Sequence, residues 1–140
     1  MRQRTLVLIK RHMLSGSCGQ AIVDIQSRYL EAGLHMEGLK WFSLHGRQIR
    51  KLYRQHFGKA FFPELEKDMT GDCIAMIWSG RNAVKTVRML NGATRVAEAK
   101  PGTIRRKYGD PNNLTNNAVH SSESSKAAER EIHLIFGKNV

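Results

Sequence analysis

The sequence predicts an α/β chain of the α+β kind, in which helices cover a central sheet in the split βαβ manner. Two observations lead to this prediction. Short apolar runs that are typical of buried strands alternate with helical patterns along the chain. The 140 residues are 41% apolar and 25% charged, which suits one folded domain. We therefore expect residues 1–140 to form a single domain.

The first half of the chain predicts two strands and the helices around them. Thr5–Ile9 is a continuous apolar run rich in β-branched residues, as expected of a strand covered on both faces. Asp24–Ala32 has helical spacing, and Gly33 is suited to end that helix. His35–Leu44 predicts the second strand, and Gly46–Phe57 predicts an amphipathic helix.

The second half predicts two more strands. Pro63–Met69 can form a short helix opened by its proline, and Cys73–Trp78 repeats the buried-strand pattern. Asn82 can cap a helix that Gly92 ends. Ala118–His120 predicts a short strand before the last helix. The apolar stripe of that helix has i, i+4, i+7, i+8 spacing and consists of Ala128, Ile132, Ile135 and Phe136.

Residues 93–117 show neither the periodicity of a helix nor that of a strand. This segment contains two prolines, two glycines and four asparagines. Long loops in compact domains are usually functional or disordered, and this one also holds the basic residues Arg105, Arg106 and Lys107. We therefore expect a long functional loop at about 93–117.

The chain is strongly basic, because 23 Lys and Arg against 12 Asp and Glu give a net charge of +11. Such a balance attracts nucleic acid, anionic membranes or phosphorylated small molecules, and it does not choose among them. No apolar run approaches the ~20 residues needed to cross a bilayer. Cys18 and Cys73 fit a reduced thiol pair and lack metal-ligand spacing. We expect a cytoplasmic protein that does not enter the membrane.

The common phosphate-binding and metal-binding motifs are missing. The sequence has no G-x-x-x-x-G-K-[ST] loop and no G-x-G-x-x-G loop, so side chains would have to bind any phosphate. It has no H-E-x-x-H or C-x-x-C pair either. In Asn117–Ser124, His120 stands at a predicted junction of strand and helix, which presents a side chain from a rigid base and suits a nucleophile. The alternative is a surface histidine among capping serines.

Motifs along nearly the whole chain resemble those of the nucleoside diphosphate kinases. K-P-G-T-I-R stands at Lys100–Arg105 and is followed by N-x-x-H-x-S-[DE]-S at Asn117–Ser124. Phe61-Phe62, Ala75–Gly80 and Lys85–Arg88 agree in order and spacing. The resemblance implies a ferredoxin-like sandwich with a central antiparallel sheet. It also implies ping-pong transfer of the γ-phosphoryl group of a nucleoside triphosphate to a nucleoside diphosphate, through a phosphohistidine.

By this resemblance His120 is the catalytic nucleophile. Glu131 matches the glutamate that holds the other ring nitrogen, and otherwise it is a solvated helix charge. Ser122 matches a serine near the nucleophile, and otherwise it caps the last helix. Tyr53 matches a tyrosine near the histidine, and it fits the apolar face of its own helix equally well.

The resemblance also implies a set of phosphate and ribose contacts. Arg88 and Arg105 match arginines that clamp phosphates, with Thr94 as a hydroxyl donor. The alternative interpretation is that both arginines are solvated surface charges, because the chain has many basic residues. Lys10 and Asn117 match contacts to ribose and phosphate, and a lysine that ends a buried strand is unusual in itself.

The base of the nucleotide is expected to stack on an aromatic side chain. Phe61 matches that aromatic residue, and Leu114 would close the other face. Stacking without hydrogen bonds to the base edges tolerates any base. For Phe62, an ordinary core position is the better interpretation. Mg²⁺ is expected to arrive with the nucleotide, bound to its phosphates.

The expected partners are nucleoside diphosphates and triphosphates. Because members of the family are hexamers or tetramers, we also expect a homo-oligomer. The alternative function is that of a basic nucleic-acid-binding protein on the same scaffold, with weak or lost kinase activity. That alternative draws on the net charge and on the basic residues of the predicted helix 46–57, which are Arg47, Arg50, Lys51 and Arg54.

The sequence departs from the family pattern mainly in loops around the expected site. Where the family has K-P-D-G after the first strand, this chain has K-R-H-M at Lys10–Met13. The family's R-G-D becomes Arg105–Lys107, which reverses a charge, and Val96 replaces a loop proline. Because the expected nucleotide contacts are retained, we predict a divergent but active enzyme.

Overall fold

The computed structural model describes residues 2–16 and 18–140, and within them the strands form one four-stranded antiparallel sheet. The spatial order is β2-β3-β1-β4. The strands are β1 (Arg2–Ile9), β2 (His35–Leu44), β3 (Gly71–Arg81) and β4 (Val119–Ser121). The helices are α1 (Cys18–Glu31), α2 (Gly46–Leu52), α3 (Phe62–Met69), α4 (Ala83–Asn91), α5 (Ile104–Tyr108) and α6 (Ser125–Phe136). The predicted α+β fold, with helices on an antiparallel sheet, is confirmed.

The sheet is buried on both faces because its central strands are apolar on both sides. In β1, Leu6 and Leu8 pack with α2, α3 and α6. Val7 and Ile9 point to the opposite face and pack with α1 and α4. Two helical layers therefore enclose β1 and β3, and residues at the end of β1 reach the edge where β4 pairs. In the described part of the chain, no helix combines the length and apolar character that crossing a bilayer requires.

Two helices differ in length from the sequence-based prediction. Helix α1 begins at Cys18 rather than Asp24, because Ile22 extends the buried stripe of Ile25 and packs on the same core. The helix predicted over Gly46–Phe57 ends at Leu52. Tyr53 leaves helical geometry there, with φ −113° and ψ 33°, and a 3₁₀ turn follows. The Tyr53 ring packs on His120, a tertiary contact that a local pattern does not contain.

The segment 93–117 contains local structure that its composition did not predict. A 3₁₀ turn covers Val96–Glu98, and α5 follows the K-P-G-T turn with Thr103 as its N-cap. Ile104 anchors α5 in the core. Tyr108, at the other end of α5, donates its hydroxyl to Asp24 of α1. The segment therefore holds Arg105 on a short anchored helix rather than on a free loop.

Candidate active site

A cleft of about 620 Å³ lies where the ends of β1, α2 and α4 meet the 93–117 segment and β4. Its walls bring together side chains that are far apart in sequence. Of the residues expected from the sequence, all except Ser122 line it: Lys10, Tyr53, Phe61, Arg88, Thr94, Arg105, Leu114, Asn117, His120 and Glu131. Ser122 is fully buried and does not line the cleft.

His120 lies in the middle of β4, where it pairs with Leu8 of β1. Its Nε2 atom is 2.9 Å from Oε1 of Glu131. The ring of Tyr53 meets the imidazole edge-on, with centroids 5.1 Å apart and an interplanar angle of 74°. The imidazole is therefore held by a carboxylate on one nitrogen and by an aromatic ring against its side, and it is not a free surface histidine.

Glu131 is only 3% exposed, so it is not a solvated helix charge. Its Oε1 atom also accepts the hydroxyl of Ser122 at 2.8 Å, and Ser122 Oγ in turn accepts the amide of Leu6 at 3.2 Å. Ser122 is not the cap of α6, since Ser124 accepts the amide of Ala127 in that role. Ser122 instead ties the carboxylate to the central strand.

The charge of Glu131 decides which nitrogen of His120 is available. Burial acts to raise the pKa of Glu131, but the charge and hydrogen bond of His120 and the hydroxyl of Ser122 outweigh burial and lower this pKa. An ionised carboxylate can only accept hydrogen bonds, so Nε2 carries the proton. In the neutral form of His120, Nδ1 therefore keeps its lone pair.

Two cationic side chains are fixed in the cleft by backbone carbonyls. Lys10 is 4% exposed and donates from Nζ to the carbonyl of Thr115 at 2.8 Å. Burial, followed by the charge of Arg105, lowers the pKa of Lys10 to about 7, against a smaller opposing effect of Asp68. Arg105 is half-buried and donates to the carbonyls of Gly92 and Val119, both at 2.9 Å.

The remaining polar contacts leave groups free for a ligand. Arg88 is exposed at the cleft from α4, so its guanidinium is solvated in this structure. Asn117 donates to the carbonyl of Thr94 at 2.9 Å. Its Oδ1 atom is buried and has no partner among the described residues. A buried acceptor without a donor is unfavourable, so a ligand hydroxyl would be bound there readily.

Two apolar side chains are exposed at the cleft. Phe61 and Leu114 both line it, and the ring of Phe61 lies 5.3 Å from that of His56. Phe62, by contrast, is buried in the core as the sequence indicated. A planar ligand would bury both exposed side chains.

Sequence reasoning missed several cleft residues. They are Gln55, His56, Arg95, Thr115 and Glu123. The signal for His56 was its position three residues after Tyr53, but on the predicted continuous helix this spacing placed it on the buried apolar face with Ile49 and Leu52. Only the break of the helix at Tyr53 turns His56 towards Phe61.

The fold and the cleft together define an enzyme that handles phosphorylated ligands. A family model described as nucleoside diphosphate kinase matches residues 3–140. The nucleoside diphosphate kinase of Caldanaerobacter subterraneus subsp. tengcongensis is 43% identical over 116 residues, which are 82% of each chain. That of Pyrococcus furiosus is 39% identical over 137 residues, covering 96% of this chain and 83% of its own.

Solved structures agree with these relatives. The apo nucleoside diphosphate kinase of Encephalitozoon cuniculi has a TM-score of 0.90 at 32% identity, covering 99% of this chain and 91% of that one. The halophilic enzyme of Halobacterium salinarum, solved in complex with CDP, has a TM-score of 0.86 at 38% identity, covering 96% and 87%.

The chain belongs to the nucleoside diphosphate kinase family. Its activity is that of a nucleoside diphosphate kinase, the transfer of a terminal phosphoryl group between nucleotides. The predicted family, fold and kinase activity are thereby confirmed. Nucleic-acid binding stays a prediction.

Proposed function

We propose that this chain transfers the phosphoryl group by a ping-pong mechanism in which Nδ1 of His120 is the phosphorylated atom. The contact that carries the proposal is the hydrogen bond from Nε2 of His120 to the ionised carboxylate of Glu131. With the proton on Nε2, the other nitrogen has the lone pair that a nucleophile needs.

In the first half-reaction, Nδ1 of His120 forms a bond to the γ-phosphorus of a nucleoside triphosphate. The bond from that phosphorus to the β-phosphate oxygen breaks, and the diphosphate leaves with the electron pair. The phosphorylated imidazole keeps its Nε2 proton and is positively charged, so the carboxylate of Glu131 stabilises it. In the second half-reaction, a terminal oxygen of an acceptor diphosphate attacks the same phosphorus, and Nδ1 regains its lone pair.

Lys10, Arg88 and Arg105 neutralise the charge on the phosphates. In phosphoryl transfer that charge spreads over the oxygens of the transferred group, so cations fixed beforehand lower the barrier. Lys10 and Arg105 are each held by hydrogen bonds to backbone carbonyls. The Thr94 hydroxyl adds a donor, and the free Oδ1 of Asn117 accepts a ribose hydroxyl.

The nucleotide base stacks between Phe61 and Leu114. Both side chains are exposed at the cleft, and stacking of this kind does not read base edges. CDP, the ligand of the Halobacterium salinarum enzyme, is therefore an expected ligand of this chain as well.

Mg²⁺ enters as part of the nucleotide substrate. Among the described residues, no group of three or more His, Cys, Asp or Glu side chains is placed to hold a metal ion. Phosphate oxygens and water are ligands that Mg²⁺ prefers. The ion would neutralise phosphate charge together with the three cationic side chains.

We further propose that the chain is a cytoplasmic homo-oligomer, a hexamer or tetramer, that associates through β2. This strand is an edge of the sheet and exposes Met36, Leu39 and Trp41, the last at 59%. Apolar edge strands pair readily with a second copy. Replacing Trp41 with Lys should lower the mass measured by light scattering, whereas an unchanged mass would place the contact elsewhere.

The cysteines support the proposed location in the cytoplasm. Cys18 and Cys73 are free thiols, as is usual for proteins of a reducing compartment.

The proposed phosphohistidine is tested with ATP labelled at the γ-phosphate. The wild-type protein should acquire an acid-labile, base-stable label and pass it to GDP or dTDP. His120→Ala should abolish the label. His133→Ala, which changes an exposed histidine of α6, is the matched control and should keep it. A label that persists in His120→Ala would overturn the assignment of the nucleophile.

A further inference from the structure

The backbone makes a sharp turn two residues before His120. Ala118 has a φ of +76°, a conformation that residues other than glycine rarely adopt. The amide of Val119 donates to the carbonyl of Asn117 at 3.0 Å, which is the hydrogen-bond pattern of a γ-turn centred on Ala118. Because β4 begins at Val119, this turn sets where the strand that carries His120 starts.

The segment that follows β1 forms hydrogen bonds with both the carbonyl and the amide of Ala118. The carbonyl of Ala118 accepts the amide of Lys10 at 2.9 Å. The amide of Ala118 donates to Nε2 of His12, also at 2.9 Å. Ala118 is fully buried, so water cannot replace His12 as the acceptor for its backbone amide. His12 therefore satisfies a backbone group that would otherwise be buried without a partner.

We propose that His12 is a positioning residue for His120, acting through the amide of Ala118. This role rests on the proposed function, in which His120 is the nucleophile. His12 is not among the residues that line the cleft, so it acts on the strand and not on the nucleotide. Loss of the acceptor lets the strained turn relax and moves the imidazole, and a misplacement of about 1 Å at a reacting group can cost about 100-fold in rate.

The bond requires a neutral His12. Its Nε2 accepts, so the proton lies on Nδ1, and an imidazolium has no acceptor left. Burial, followed by the charge of Lys10, lowers the pKa of His12, whereas Asp110 and Asp68 act in the opposite direction. Arg11, the preceding residue, donates to a carbonyl at Thr70 instead. Because this pKa is lowered, the acceptor is present at neutral pH and is lost only at a pH below the ordinary pKa of histidine, about 6.5.

Three variants test this role by single-turnover phosphorylation with ATP between pH 5 and 8, with ADP affinity measured separately. His12→Gln keeps an acceptor that does not titrate. His12→Phe keeps a ring without an acceptor. His133→Gln, which changes an exposed histidine of α6, is the control. We expect His12→Phe to slow phosphorylation at pH 7.5 by about 10-fold or more at similar ADP affinity, since a buried donor loses its partner.

His12→Gln should retain the rate at pH 7.5 within about threefold. Its rate should fall less steeply below pH 6 than that of wild type, because one titrating group has been removed. His133→Gln should keep the wild-type profile. The role of His12 is overturned if His12→Phe reacts at the wild-type rate or if His12→Gln keeps the wild-type pH profile. If His12→Phe fails to fold, the profile of His12→Gln still decides. Absence of any label on His120 in the wild type would instead overturn the proposed function.

Discussion

Oε1 of Glu131 lies 2.9 Å from Nε2 of His120, on a carboxylate that α6 brings to the edge of the sheet. The two residues are on different elements, and the hydroxyl of Ser122 holds the same oxygen at 2.8 Å. One helix thereby sets the tautomer of a histidine on a neighbouring strand. The geometry around the imidazole therefore depends on how α6 packs against β1.

Replacing Glu131 with Gln should lower the rate of His120 phosphorylation by about 10- to 100-fold, since a hydrogen bond to a charged group is worth about 1.5–3 kcal/mol. The amide can still accept from Nε2, but it does not stabilise the positive phosphoimidazole. Quenched-flow labelling measures this rate. Glu129→Gln, a half-buried residue of α6 that is paired with Arg4, is the control and should react like wild type. Equal rates for the two variants would show that the charge of Glu131 is not needed.

Nucleotide binding should take up a proton at Lys10. The pKa of this buried lysine is lowered to about 7 in the free protein, and bound phosphates favour its charged form. At pH 8, ADP binding is expected to take up nearly one proton per site, and at pH 6 almost none. Calorimetry in buffers of different ionisation enthalpy measures the uptake. Lys10→Met should lose the difference between the two pH values, and a wild type without that difference would contradict the prediction.

Tyr53 should act through its ring rather than its hydroxyl. The hydroxyl is buried and has no partner among the described residues, whereas the ring packs on His120. Tyr53→Phe should leave the free energy of unfolding within about 1 kcal/mol of wild type. Tyr53→Ala should lower it by about 3–5 kcal/mol and slow phosphorylation. Urea titration and quenched-flow labelling measure the two effects. A Tyr53→Phe variant as slow as Tyr53→Ala would assign the hydroxyl a role.

Asp24 should stabilise the folded protein only at a pH at which its carboxylate is ionised. Hydrogen bonds, first from Tyr108 and then from Arg28, lower the pKa of Asp24 to about 2. Because the pKa in the folded state is below the ordinary value, the ionised carboxylate stabilises the fold above about pH 4. This stabilisation is lost as the pH falls from about 4 to about 2. Asp24→Asn should lower the free energy of unfolding at pH 6 by about 1 kcal/mol.

The effect of Asp24→Asn should shrink as the pH approaches 2. Urea titrations at pH 6 and at pH 2.5 make the comparison. Glu98→Gln removes an exposed ion pair with Arg95 and should change little at either pH. If Asp24→Asn were equally destabilising at both values, the tie between α1 and α5 would not depend on the charge.

The sheet could be predicted because its strands contain their own signal. Thr5–Ile9 and Cys73–Trp78 are apolar on both sides, and both lie inside central strands of the structure. The end of α2 at Tyr53 could not be predicted in the same way. The pattern there continues a helix, and the contact that ends it comes from a residue far along the chain.

Neighbouring residues alone determine the order of strands and helices along the chain and the basic charge. Periodicity and composition are local properties, so they can be read without a fold. The free nitrogen of His120, the lowered pKa of Lys10 and the turn at Ala118 were decided by packing. Each depends on burial or on a hydrogen-bond partner distant in sequence, and these exist only once the chain is folded.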